Sequence, residues 1–299
     1  MKEIESIDEW LKKTEKIKNE AIEKLSEYAA LPIKKFSNPN SEKSAGYVRV
    51  PSISALGYMS TWYAMHAKKS FLTDTDEFSS SLGFSAGYAY LMSKSQIKAY
   101  DRQITSRCML LRDYASMVYF MLATFNESIE FGEITQEYFR LNNLGLIKDL
   151  GSKVSIFCAA LVKHRLYQDG SFNEFEKNRN IVDTHHALEV YLKAFTIIES
   201  NFNFGDLDGI LDKMMKIHVA EASSRESDRE FFDFHDAPWD TIPFEVLYVS
   251  ELARKHNKHF VYHNDTLIKM QSIYEKNRPS IGYDALATSV KSRLEKVLF

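Results

Sequence analysis

The residues whose types and spacing come nearest to a catalytic arrangement lie between Arg179 and His185, ahead of an amphipathic helical pattern. A histidine can move a proton near neutral pH, and an arginine guanidinium can stabilise the negative charge of a phosphate group. Arg179 and His185 are thus residue types that chemistry on a phosphate can use. The same residues allow a plainer interpretation, in which Asp183 begins a helix and the neighbouring histidines are solvated.

The stretch from Arg179 to His185 resembles the Arg-Asn…His signature of the HEPN ribonucleases. That family is helical, and its arginine and histidine act on the scissile phosphate. The resemblance covers these seven residues and implies that Arg179 and His185 are catalytic and that RNA is the substrate. We keep this ribonuclease as an alternative function.

The His235-Asp236 dipeptide resembles the metal-binding pair of the metal-dependent phosphohydrolases. Those enzymes need further ligands on helices, and only His185 and Asp265 are candidates here. A proline follows two residues after Asp236, which favours a surface loop. The sequence also lacks a glycine-rich phosphate loop, a Gly-x-Ser-x-Gly elbow, a His-Glu-x-x-His pair and a Cys-x-x-Cys pair. We therefore expect no metal and no cofactor.

The range from Glu221 to Glu245 is strongly acidic. Its eight acids and two arginines give −6, against −3 for the whole chain. Charge can steer a partner towards a surface and aromatic side chains can supply contact energy, so this pattern favours a protein-binding face. An alternative is a solvated loop whose aromatic side chains pack into its own core. The predicted partner-binding residues are Asp228, Glu230, Phe231, Phe232, Asp233, Asp236 and Trp239.

Composition sets broad limits on the kind of protein. A chain of 299 residues with 44% hydrophobic content can bury a sizeable core. The small negative net charge argues against nucleic-acid binding through a broad basic field. Cys108 and Cys158 lie in apolar helical patterns and are interpreted as buried thiols. The N-terminus shows no apolar signal core, so we expect a cytoplasmic protein that does not enter a membrane.

The stretch from Ser106 to Phe125 predicts the helix around which the chain folds. Its apolar residues recur at helical spacing and also cover the flanks, which is typical of a helix buried in a larger core. Val118 should lie deep in that core. Charged residues inside the stretch, such as Arg112, argue against a membrane span.

Most of the remaining chain also reads as helix. An N-terminal helix should start at a Ser6–Glu9 capping box and bury the stripe Ile7, Leu11, Thr14, Ile17, Ala21, Leu25 and Tyr28. Two stretches that mix Gly, Ala and Ser with large aromatic residues, Ser52–Phe71 and Ser79–Met92, predict close-packed helices joined by an acidic turn. Later helices should start at Asp183 or Thr184, at Asp206, at Asp240 or Thr241, and at Ser280.

These patterns predict an all-α fold. The expected architecture is a multi-helix array of antiparallel helix pairs around a buried central helix, and the expected organisation is a single helical domain over residues 1–299. The repeated helix–turn–helix rhythm also allows a solenoid-like adaptor.

The range from Ile242 to Met270 resembles the C-terminal pattern of the immunity protein 49 family. An apolar helix ends in Leu252-Ala253 followed by charges, then comes a short extended piece around Phe260, and then a last apolar segment. Members of that family are helical and block toxins encoded beside them. The resemblance implies a non-enzymatic immunity protein that binds and neutralises a cognate protein toxin, which we expect to present a basic surface.

Overall fold

The computed structural model describes residues 2–30, 50–101, 128–144, 153–167, 186–203, 205–223, 239–258, 260 and 264–297. Within these ranges the chain forms ten helices and no β-strand, so the predicted all-α class is confirmed. The helices are α1 (Lys2–Ala30), α2 (Val50–Thr73), α3 (Phe78–Asp101), α4 (Ile129–Asn143), α5 (Lys153–Tyr167), α6 (Ala187–Glu199), α7 (Leu207–Ser223), α8 (Phe244–Lys255), α9 (Asp265–Lys276) and α10 (Ala285–Val297).

The predicted central helix over residues 106–125, with Val118, lies outside the described residues. Its burial, and the pairing of antiparallel helices around it, therefore stay predictions. Among the helices that are described, none combines the length and the apolar character that a membrane span requires. Cys158 is a buried thiol, as predicted, whereas Cys108 falls outside the described ranges.

The contacts divide the chain into two compact units. Unit 1 comprises Met1–Tyr114 together with Pro279–Phe299, and unit 2 comprises Ala115–Arg278. Unit 1 is thus assembled from two pieces of chain that are far apart in sequence. Compactness alone does not decide how many domains fold independently, so the single domain over residues 1–299 stays a prediction.

Helix α1 packs one face against α2 and α10. Five members of its predicted stripe are buried, namely Ile7, Leu11, Ala21, Leu25 and Tyr28. Ile17 is 48% exposed, so the prediction was wrong there. Two successive three-residue steps lead from Leu11 to Ile17, and at about 3.6 residues per turn they place Ile17 roughly 120° around the helix from Leu11, towards solvent.

Two helices of unit 1 begin away from the predicted residues. Helix α1 is already helical at Lys2, before the predicted box at Ser6. Helix α10 begins at Ala285 instead of at Ser280, because the Asp284 carboxylate accepts the Ala287 N–H at 2.7 Å and caps the first turn.

In unit 2 one predicted helix start is confirmed and one is wrong. The Asp206 carboxylate accepts the Gly209 N–H at 2.9 Å and caps α7 as predicted. Helix α6 is described from Ala187, after His186 in a left-handed backbone conformation, and the predicted caps Asp183 and Thr184 lie outside the described residues. Helix α8 begins after Pro243, beyond Asp240 and Thr241; a proline is tolerated there because its missing N–H would have no helical partner.

Helices α2 and α3 make the most extensive contact between described elements. Ser60 Oγ donates to the Ser85 carbonyl at 2.9 Å, and Ser85 Oγ donates to the Ser60 carbonyl at 2.8 Å. Such reciprocal bonds need the two backbones to lie close together, and the small serine side chains permit this. The predicted close packing of these two stretches is confirmed.

The glycines of α3 allow a close approach by a different segment from the one that the composition predicts. A Cβ atom on Gly83 would lie 2.3 Å from the Ser280 carbonyl oxygen, and one on Gly87 would lie 2.1 Å from the Gly282 carbonyl oxygen. The non-helical residues before α10 therefore pass directly over these glycines. Only a residue without a Cβ permits this approach.

Unit 2 is organised around α8. Nine of its twelve residues are buried, so it is covered on nearly every side. Helix α6 contacts α5, α7 and α8, and α9 also contacts α8. Between α5 and α6 the rings of Phe157 and Tyr191 stack with centroids 5.0 Å apart.

Candidate functional site

Most of the predicted site residues lie outside the described ranges. This holds for the alternative catalytic pair Arg179 and His185, and both residues stay predictions. It also holds for the predicted partner-binding residues between 224 and 238, which are Asp228, Glu230, Phe231, Phe232, Asp233 and Asp236. Trp239 is the one predicted partner-binding residue that the structure describes.

Trp239 is packed inside the protein. Its side chain is 7% exposed, and its ring meets the Phe244 ring edge-on with centroids 4.7 Å apart. Phe244 is the first residue of α8 and is itself buried. The position matches the alternative in which an aromatic side chain of the acidic range packs into its own core. Contact with a partner is untested and stays a prediction.

Glu221 belongs to a buried ion pair. Its carboxylate lies 2.7 Å from Lys153 Nζ, and neither side chain has any solvent exposure. Glu221 is on α7 and Lys153 is the first residue of α5, so the pair joins two helices of unit 2. In a dry environment each charge depends on the other, because an isolated buried charge costs far more than a paired one.

A second buried polar contact lies near the same end of α7. His218 Nδ1 is 2.9 Å from Glu245 Oε1, with the two side chains 2% and 0% exposed. The donor and acceptor roles in this contact are set by the tautomer of the imidazole ring. Glu245 also lies in the first turn of α8, where the free N–H groups and the helix dipole favour a negative charge.

These two contacts change the interpretation of the acidic range. Glu221 and Glu245 were counted with its surface charges, but both are buried and carry inter-helix contacts. Residues 224–238, here named the acidic stretch, hold five acids and two arginines, which gives −3. The buried Glu221–Lys153 pair precedes the stretch, and the buried Trp239–Phe244 contact follows it.

The range that resembles the immunity protein 49 pattern occupies α8 and the start of α9. Leu252 and Ala253 are buried in the last turn of α8. The following Arg254 donates to Glu251 Oε1 at 2.7 Å, and Arg278 donates to Glu251 Oε2 at the same distance. The charge-assisted bond to Arg278 thus joins the end of α8 to the segment that follows α9.

Unit 1 contains a carboxylate site that the sequence patterns did not indicate. Asp284 accepts hydrogen bonds from the Tyr63 hydroxyl at 2.7 Å and from the Tyr88 hydroxyl at 3.0 Å. Desolvation, together with the nearby Asp284 carboxylate, raises the pKa of both tyrosine hydroxyls well above the ordinary value. Both hydroxyls therefore remain protonated donors. Asp284 has no local signal of this role, because Tyr63 and Tyr88 come from distant parts of the chain.

In the ranges that the structure describes, no three His, Cys, Asp or Glu side chains are grouped closely enough to hold a metal ion. Comparison with known proteins found no matching family model, no matching curated protein and no matching solved structure.

Proposed function

We propose that this chain is a non-enzymatic interaction protein of the cytoplasm that binds and neutralises a cognate protein toxin. The observation that carries the proposal is that the residues flanking the acidic stretch on both sides are held in place by buried contacts. Glu221 is held by Lys153 three residues before the stretch, and Trp239 is held by Phe244 directly after it. Binding residues are commonly carried by a connecting segment that a rigid scaffold positions.

The charge of the stretch suits a basic partner. Five acids in fifteen residues are opposed by two arginines. A concentrated negative field speeds the encounter with a positive surface, and salt screens this effect. The toxin partner is therefore proposed to present basic residues at the contact.

The stretch also contains aromatic side chains that can anchor a complex. Trp239 is already packed against Phe244, so the proposal assigns the anchoring contacts to Phe231 and Phe232. Aromatic residues that become buried at the centre of an interface commonly supply much of its binding energy.

The resemblance to the immunity protein 49 pattern supports the same proposal. Four of its apolar positions, Leu252, Ala253, Leu267 and Met270, are buried in α8 and α9, whereas Ile268 of the last apolar segment is 50% exposed. The four buried positions act in the core of unit 2 in this chain, and the proposal uses them as scaffold only.

Charge reversal in the acidic stretch tests the proposal. The test variant carries lysine in place of Asp228, Glu230 and Asp233. It should associate more slowly than the wild type with the toxin that the neighbouring gene is proposed to encode. The difference should be largest at low salt, because the Debye length is about 30 Å at 0.01 M. Dissociation should change less, because steering acts mainly on the encounter. The measurement is binding kinetics over a salt series.

The matched control replaces three exposed acidic residues of α1 by lysine, namely Glu5, Glu23 and Glu27. It produces the same change in total charge, so a general field effect would slow both variants equally. The proposal expects the α1 variant to associate nearly as fast as the wild type. Equal rates for wild type and the stretch variant at all salt concentrations would show that the binding face lies elsewhere.

A further inference from the structure

The contact between α1 and α2 contains a histidine among aromatic rings. On α2, Tyr58, Trp62 and His66 are spaced four residues apart, so they lie on one face of the helix. Trp10 of α1 stacks on Tyr58 with ring centroids 6.5 Å apart and also contacts Trp62 at 6.1 Å. The Tyr58 hydroxyl donates to the Thr14 carbonyl at 3.0 Å. This face of α2 therefore holds the first half of α1.

His66 packs directly on this group of rings. Its ring centroid is 5.3 Å from that of Trp62, and Trp62 is buried with Ile7 and Leu11 of α1. The His66 side chain itself is half-buried. A change in the charge of this imidazole therefore takes place beside the side chains that hold α1 on α2.

Two lysines already place positive charge near the imidazole. Lys18 Nζ of α1 lies 4.9 Å from the centre of the Trp62 ring. Lys69 follows His66 by three residues on α2, and its Nζ lies 2.6 Å from Asp8 Oδ1 of α1. A protonated His66 adds a third positive charge at a site that is partly withdrawn from water, and both effects disfavour the protonated form.

Attractive contacts oppose these two effects without balancing them. The nearby acids are Glu15 on α1 and Glu77, which directly precedes α3. The Trp62 ring also attracts cations, but it already binds the Lys18 ammonium. Burial, followed by the charges of Lys69 and Lys18, lowers the pKa of His66 from its ordinary value of 6.5.

The sign of the pH dependence follows from the direction of this shift. A histidine with a lowered pKa binds a proton more weakly in the folded chain than in the unfolded chain. Folding carries no such penalty above pH 6.5, where the imidazole is neutral in both states, and it becomes less favourable as the pH falls below 6.5.

We propose that His66 makes the packing of α1 on α2 sensitive to pH, and that protonation of its ring loosens the first half of α1. Trp62 contacts both His66 and Trp10, so a disturbance at the imidazole passes directly to α1. The reciprocal serine bonds between α2 and α3 involve none of these residues. Helix α2 therefore keeps its place on α3 while α1 loosens.

Hydrogen exchange of the full chain, followed by mass spectrometry, tests this proposal at about one pH unit above and about one pH unit below the ordinary histidine pKa. After correction for the intrinsic exchange rates, the wild type should lose severalfold more protection in α1 than in α3 at the lower pH. The control His66→Phe keeps a ring on Trp62 but cannot take up a proton, so its α1 should lose little protection. An equal loss in the wild type and in His66→Phe overturns the proposal.

Two substitutions on α1 should change the effect in opposite directions. Lys18→Met removes a cation near His66 and should reduce the loss of protection, whereas Glu15→Gln removes an anion that favours protonation and should increase it. Both side chains are partly exposed, so these variants also decide the matter if His66→Phe fails to fold. Opposite changes then support the proposal, and the same loss in both variants overturns it.

Discussion

Replacing Lys153 by methionine should lower the free energy of unfolding of unit 2 by about 3–5 kcal/mol, the range for breaking a buried ion pair from one side. The substitution removes the Lys153 ammonium group, which lies 2.7 Å from the Glu221 carboxylate at a site with no solvent exposure. The carboxylate must then either stay charged at a high cost or take up a proton. Urea unfolding followed by Trp239 fluorescence, with Trp10 and Trp62 replaced by phenylalanine, measures the loss.

Two further variants separate the buried charge from a general effect of removing a lysine. The double variant Lys153→Met, Glu221→Leu should recover most of the lost stability, because two apolar side chains of similar volume can replace a buried pair. Lys216→Met on α7 breaks an exposed pair with Asp212 and should cost roughly 0–1 kcal/mol. If Lys153→Met costs no more than Lys216→Met, the buried pair does not hold α5 to α7.

Gly87→Ala should destabilise unit 1 by about 1–3 kcal/mol, as expected for overpacking. Its new Cβ would lie 2.1 Å from the Gly282 carbonyl oxygen, which is backbone and cannot rotate away. The segment must move, and the hydrogen bond from Gly282 to Gly83 is strained or lost. Thermal and urea unfolding followed by Trp10 and Trp62 fluorescence should show the change.

Gly132→Ala is the matched control for this prediction. Gly132 also lies in a helix, but a Cβ there would meet nothing within 4 Å. Alanine should therefore stabilise α4 by up to about 1 kcal/mol through helix propensity alone. The same substitution thus has opposite signs at Gly87 and Gly132. A Gly87→Ala chain as stable as the wild type would mean that the segment is not seated on α3.

Local periodicity accounts for much of the helical architecture, because the apolar residues that each helix buries recur at helical spacing within that segment of the sequence. Five residues of the α1 stripe are buried as predicted, and the end of α2 and the start of α3 enclose the predicted acidic turn. Helix starts are less predictable, since several residues compete to cap. Ser280 and Asp284 both suit an N-cap, and the contacts of Asp284 with Tyr63 and Tyr88 decide between them.

Contacts between distant parts of the chain could not be predicted. A count of charges treats Glu221 and Glu245 as surface residues, because nothing nearby reveals that Lys153 and His218 meet them in the core. The glycines of α3 indicate a close approach but do not identify the neighbour. That neighbour comes from residues 280–282, almost two hundred positions later in the chain.

A growth-protection assay is the most direct test of the central claim, which is that this chain neutralises a toxin. Cells that express the proposed toxin, which the proposal expects the neighbouring gene to encode, should stop growing, and co-expression of this chain should restore growth. The variant with lysine at 228, 230 and 233 should protect less, whereas the α1 control variant should protect as well as the wild type. Arrested growth in cells that contain abundant, folded wild-type chain would contradict the account.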